Sequence, residues 1–83
     1  MSITILYFAS LREALGVERE QIDLPEDAGS VGALRMLLLV RGSKWSPLSA
    51  PRIRAAVNQV LATDANPVVD GDEVAFFPPV TGG

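Results

Sequence analysis

Residues 70–83 read Asp70-Gly71-Asp72-Glu73-Val74-Ala75-Phe76-Phe77-Pro78-Pro79-Val80-Thr81-Gly82-Gly83. Asp70-Gly71-Asp72 predicts a turn. Val74 to Phe77 predicts a strand, because β-branched and aromatic residues suit a pleated, half-buried surface. Val74 and Phe76 then share one side, Ala75 and Phe77 the other. Pro78 and Pro79 stop the ladder, since neither has an N–H to donate. They also favour an extended arm leaving the sheet. Gly82 and Gly83 carry no Cβ, so such an arm can thread a narrow channel and approach a nucleotide or another backbone closely. A chain built this way presents the carboxylate of Gly83 as a reactant. The bland alternative is a frayed end.

Working outward, Ile3 to Ala9 reads ITILYFA. It is apolar on both parities, with Ile3, Ile5 and Tyr7 opposite Thr4, Leu6 and Phe8. That predicts a central strand whose outer face also meets something apolar. Ser10-Leu11-Arg12-Glu13 fits a capping box for a short helix that Gly16 would end. Glu18 to Leu24 predicts a charged edge strand, and Pro25 to Gly29 a loop. Ser30 is the N-cap candidate for the main helix, Val31 to Arg41, with Gly42 as its stop. Val31, Leu34, Leu38 and Arg41 form its stripe, and Gly32 weakens its first turn by up to about 1 kcal/mol relative to Ala. Met36, Leu39 and Val40 lie off that stripe. Burial under an irregular Ser43–Pro51 loop anchored by Trp45 is their expected fate, with a second contact face as the alternative. Ile53 to Gln59 alternates as a strand, and Val60 to Thr63 continues it after a turn at Asn58-Gln59. The order β, short α, β, α, β, β, β predicts an α+β domain: one mixed sheet, one main helix packed across it, and short extra helices.

The chain has 83 residues and a mass of 8.8 kDa, enough for a single domain, residues 1–83. Cys and His are both absent. No disulfide framework, Cys or His metal site, thiol nucleophile or imidazole base is therefore available. Acids outnumber bases 10 to 7, for a net charge of −3, so no basic face for nucleic acid is expected. Apolar runs such as Met36 to Val40 are too short to cross a bilayer. Met1-Ser2-Ile3-Thr4 offers no basic region of a signal peptide, and a cytoplasmic location is expected. No phosphate-binding glycine motif is present. Asp70, Asp72 and Glu73 are three carboxylates lacking the other ligands of a calcium loop, so a solvated turn is the expectation and no metal site is assigned. The chain holds little catalytic equipment of its own.

The 70–83 stretch closely resembles the C-terminal signature of the MoaD family, the small subunits of molybdopterin synthase. Leu6 to Glu13 and Ala55 to Gln59 resemble the same family, and the likeness runs from first strand to last residue. It implies a β-grasp, ubiquitin-like fold, in which first and last strands are parallel neighbours at the sheet centre. It also implies a sulfur carrier, non-catalytic alone, with residues 78–83 as its reactive tail. An activating enzyme would use ATP and magnesium to join AMP to the Gly83 carboxylate; no cofactor would be bound by this chain. A sulfur-donating enzyme would then supply the thiocarboxylate. The tail would enter the large synthase subunit and give its sulfur to cyclic pyranopterin monophosphate, two small and two large chains forming the assembly.

Under that resemblance Gly83 is the carrier, Gly82 threads, Val80 and Thr81 line the channel, and Pro78 and Pro79 aim the tail. Phe8, Leu61 and Phe77 would form an apolar patch for both partners, while Tyr7 and Phe76 fill the core. Three alternatives stay open: a carrier for thiamine or another pathway, a protein modifier conjugated through Gly83, and a binding module with an inert tail.

Overall fold

The computed structural model describes residues 1–79. In chain order it forms β1 (Ser2–Tyr7), α1 (Ala9–Leu15), β2 (Arg19–Asp23), α2 (Val31–Leu39), β3 (Arg54–Val57), β4 (Val60–Ala62) and β5 (Glu73–Phe77). Short 3-10 turns occupy Glu26–Ala28, inside the expected loop, and Ser43–Ser49. The strands make one sheet in the order β2-β1-β5-β3-β4. β1 and β5 are its parallel pair, and the other pairings are antiparallel. A parallel pair demands a long crossover, which here contains α2. Edge strand β2 and the Asn58-Gln59 hairpin lie where expected. Positive φ at both turn residues, 50° and 70°, matches the twist of a tight hairpin.

One face of the sheet is the core. Ile3, Ile5, Tyr7, Val74 and Phe76 are buried there with Leu11, Leu15, Val31, Leu34, Leu38 and Leu48. Both parities read from the sequence hold. The Ser30 cap also holds, its hydroxyl oxygen accepting from the Ala33 N–H at 3.1 Å. Gly16 ends α1 at φ 71°, donating to the Arg12 carbonyl at 2.9 Å.

Four local expectations are corrected. The Ser10–Glu13 capping box does not form, because the sheet holds the chain one residue further. The Phe8 N–H donates to the Phe76 carbonyl at 3.2 Å, and the chain turns at Ala9, whose φ is 55°. Phe8 takes the N-cap position without a side-chain cap. α2 ends at Leu39, not Arg41, which instead forms an ion pair with Glu20. Residues Ser43–Ser49 are 3-10 helical instead of irregular, with Trp45 the expected anchor, edge-on to Tyr7 at 5.8 Å between ring centroids. β3 is shorter than predicted, starting at Arg54.

The fate of the α2 residues is a fifth correction. Met36 is 63% and Val40 79% exposed, while Leu39 packs partly against the core. The Ser43–Ser49 turn cannot cover them because it folds inward, burying Leu48 and meeting both α1 and α2.

Gly32 has a use that propensity alone hides. Its N–H donates to the Asp64 carbonyl at 2.9 Å, and a Cβ there would come within 3.0 Å of the Asp64 Cβ. Asp64 is itself held by Arg35 at 3.2 Å. Gly32→Ala is therefore expected to lower the melting temperature, although helix propensity favours Ala by about 1 kcal/mol; a thermal melt checks the sign.

Candidate functional site

The register assembles an apolar patch on the open face of the sheet. Arg19, Leu6, Ala75, Ala56 and Leu61 lie side by side across all the strands, each paired with the next. One step towards the ends of β1 and β5 stand Phe8 and Phe77, with Arg54 paired to Phe77. Phe8 is 45% and Leu61 63% exposed, and Phe77 is half-buried. Directly behind them Tyr7 and Phe76 are fully buried, their rings stacked at 6.4 Å. The four aromatics thus divide between the faces as strand alternation requires.

Sequence reasoning placed Phe8, Leu61 and Phe77 on this face. Parity put Leu6 beside Phe8 and Ala75 beside Phe77 without naming them in the patch; Ala56 and the flanking Arg19 and Arg54 join it only through the cross-strand register. Pro78 is half-buried and Pro79 exposed where the chain leaves β5. Val80, Thr81, Gly82 and Gly83 lie outside the described residues.

The acidic turn at the other end of β5 is structural. Asp70 accepts from the Ser2 N–H at 2.6 Å. Asp72 accepts from the Asn58 amide and the Val69 N–H, both at 2.9 Å. Carboxylates already holding backbone and side-chain donors stabilise a turn, and no metal-holding cluster occurs among the described residues. Nor is any helix among them long and apolar enough to cross a membrane.

A polar cluster braces the site from the core side. The Tyr7 hydroxyl donates to Glu20 Oε2 at 2.8 Å. Arg41 grips both oxygens of that carboxylate at 2.9 Å and lies over the Trp45 ring, 4.6 Å from its centroid. Burial, then the bond to Glu20, push the Tyr7 hydroxyl well above its ordinary value. Burial alone would raise Glu20, but bonds from Arg41 and Tyr7 outweigh it and hold the carboxyl below the usual range. The folded protein therefore keeps Glu20 ionised to lower pH than the unfolded chain does. Its contribution is complete above the unfolded value and lost as pH falls through the folded one. Glu20→Gln is expected to flatten the acid limb of stability against pH in denaturant titrations. Glu20→Ala, which strands the Tyr7 hydroxyl and the Arg41 guanidinium, costs about 1–3 kcal/mol.

Parallel central strands, with a helix in the grip of the sheet, put the domain in the β-grasp, ubiquitin-like class. Solved structures agree. The putative molybdopterin converting factor subunit 1 from Pyrococcus furiosus superposes with a TM-score of 0.80 at 31% identity, over 96% of this chain and 99% of that one. SAMP1 from Haloferax volcanii gives 0.79 at 27%, with complete coverage of both. The ThiS family profile matches residues 5–83, and the chain belongs to that family. Molybdopterin synthase sulfur carrier subunits are similar along its length. That of Escherichia coli K12 is 43% identical, covering 98% of this chain and 99% of its own. That of Haemophilus influenzae is 42% identical with the same coverage.

Proposed function

We propose that this chain is the sulfur-carrier small subunit of a molybdopterin synthase. The observation carrying the reading is the position of β5, central in the sheet, with Phe77 on the open face and Pro78-Pro79 following at once. The surface for a partner and the base of the reactive arm are the same short segment. The similarity to full-length molybdopterin synthase sulfur carrier subunits supports the choice of pathway.

The chemistry follows from the weakness of a carboxylate as an acyl donor. A partner enzyme transfers AMP from ATP, assisted by magnesium, to the Gly83 carboxylate and releases pyrophosphate. A sulfur nucleophile from a donor enzyme displaces AMP, leaving a thiocarboxylate. The tail then enters the large subunit, guided by Pro78 and Pro79, with Val80 and Thr81 along the channel and Gly82 at its narrowest part. The thiocarboxylate sulfur attacks cyclic pyranopterin monophosphate, water then cleaves the resulting Gly83 thioester to leave the sulfur on the pterin and free the carboxylate, and two such transfers build the dithiolene. Acids and bases come from the partner, which suits a chain without His or Cys. Phe8, Leu61 and Phe77 dock against the activating enzyme and the large subunit in turn, in an assembly of two small and two large chains.

Incubating the thiocarboxylated chain with a large subunit and cyclic pyranopterin monophosphate tests this. Molybdopterin is expected; none, with a control carrier active, rejects the pathway. Similarity to SAMP1, an archaeal modifier protein, favours one second reading: conjugation through Gly83 to lysines of other proteins. That reading requires a ladder of adducts in cell extracts, whereas a dedicated carrier gives none.

A further inference from the structure

Charge is sorted along the strands of the sheet. At the end where the chain leaves β5, the exposed ionic side chains include Arg12, Arg19, Arg52 and Arg54 against Glu13 and Glu18. The opposite end gathers Asp23, Glu26, Asp27, Asp70, Asp72 and Glu73, and carries no Arg or Lys among the described residues. A chain of net charge −3 thus presents a basic end around the base of its tail. Arg12 stands 3.8 Å from Glu18. Among the described residues Arg19, Arg52 and Arg54 enter no ion pair.

Two of these arginines belong to the open face. Arg19 is paired with Leu6 and Arg54 with Phe77. They stand three strand spacings apart, about 14 Å, with Leu6, Phe8, Ala75 and Phe77 on the strands between them. Charge on the edge strand β2 is explained by the need to discourage edge pairing. That reason does not extend to Arg54, because β3 lies between β5 and β4. The far end of the same face carries Asp23, paired with Ser2, and Glu73, paired with Thr4. The face is therefore positive where the tail begins and negative away from it. An apolar centre rimmed by cations fits a surface with carboxylates around an apolar pocket. Such a surface also repels the acidic far end, so that approach is oriented tail end first.

We propose that Arg19 and Arg54 steer this chain, tail end first, onto an acidic-rimmed apolar pocket of the large synthase subunit. That role presupposes the sulfur-carrier reading above and adds the chemistry of the partner's surface. Rim charges act chiefly on the association rate, and a well-packed apolar centre on the dissociation rate. The division suits the large subunit as occupant, which must accept two loaded chains for each dithiolene and release both spent ones. Charges that speed encounter without tightening the complex favour that exchange.

Stopped-flow association of the full chain with its cognate large subunit, from about 20 mM to about 0.5 M NaCl, is the test. The rate constant should fall at least about tenfold across that range. Arg19→Glu with Arg54→Glu should slow association at low salt by at least about tenfold and abolish its fall with salt. Both positions are exposed, so the melting temperature should hold. Arg54→Glu alone should slow association about fivefold, whereas Lys44→Glu, the same charge change beside Gly16 and off the open face, should slow it less than about twofold. Phe77→Ala should raise the dissociation rate and keep the salt dependence. A rate indifferent to salt overturns the proposal and leaves the carrier reading standing. So does Arg54→Glu slowing association no more than Lys44→Glu, or a defect confined to the activating enzyme. Binding to neither enzyme at any ionic strength overturns the carrier reading as well.

Discussion

Removing Gly82 and Gly83 is expected to abolish AMP transfer to the chain while leaving its thermal transition in place. Among the described residues the buried core runs from Ile3 to Phe76. The reacting group of the proposed chemistry, by contrast, is the tail's final carboxylate. Even a displacement of about 1 Å from the reacting position can cost 100-fold, so a carboxylate moved back by two residues should lose at least that much. Gly83→Phe keeps the length but adds a bulky side chain beside the reacting carboxylate, and should show the same loss. Measuring AMP incorporation beside a melting curve separates the readings. A carrier and a modifier both lose activity, whereas a binding module with an inert tail keeps its function.

The second large effect separates two neighbours in β5. Phe76→Ala is expected to destabilise the fold by about 3–5 kcal/mol, the usual cost of emptying an aromatic core site. Phe76 is fully buried, stacks on Tyr7 and lies beneath the Arg35 guanidinium, 5.4 Å from the ring centroid. Against a total stability of about 5–15 kcal/mol, that leaves a marginal domain. Phe77→Ala, on the open face, should cost about 1 kcal/mol or less in stability and at least about 2 kcal/mol in binding to the large subunit. Denaturant melts and calorimetric binding measure the two separately. A Phe77→Ala variant that melts early but binds normally would assign Phe77 to the core.

The residues that made the fold legible were those governed by one strong local rule. Period-two alternation in β1 and β5 put Tyr7 and Phe76 on the faces opposite Phe8 and Phe77, and the family resemblance said which of the two faces is the core. Ser30 capped α2 from an extended backbone bridged to Pro67, its hydroxyl oxygen accepting from the Ala33 N–H. Ser10 failed to cap α1 because the parallel ladder held Phe8 and moved the corner to Ala9. Its local sequence looks just as favourable, and only the sheet pairing decides. Tyr7, Glu20, Arg41 and Trp45 were illegible as a cluster, since they come from separate parts of the chain and meet only after folding. Glu20 read as one charge among several on an edge strand. The open-face patch was legible in its aromatics, and by parity in Ala75, but not in Ala56 or Arg19, whose place beside them comes from the cross-strand register. Burial of Met36 and Val40 was the reasonable expectation for apolar residues; the inward fold of the Ser43–Ser49 turn leaves them outside.

The central claim is that Gly83 carries sulfur. Its most direct test is the intact mass of the chain after co-expression with a cognate activating enzyme and a sulfur source. The account predicts a gain equal to one sulfur replacing one oxygen, localised by fragmentation to Gly83 and absent when the activating enzyme is omitted. An unchanged mass, with the same enzyme converting a control carrier, would contradict it.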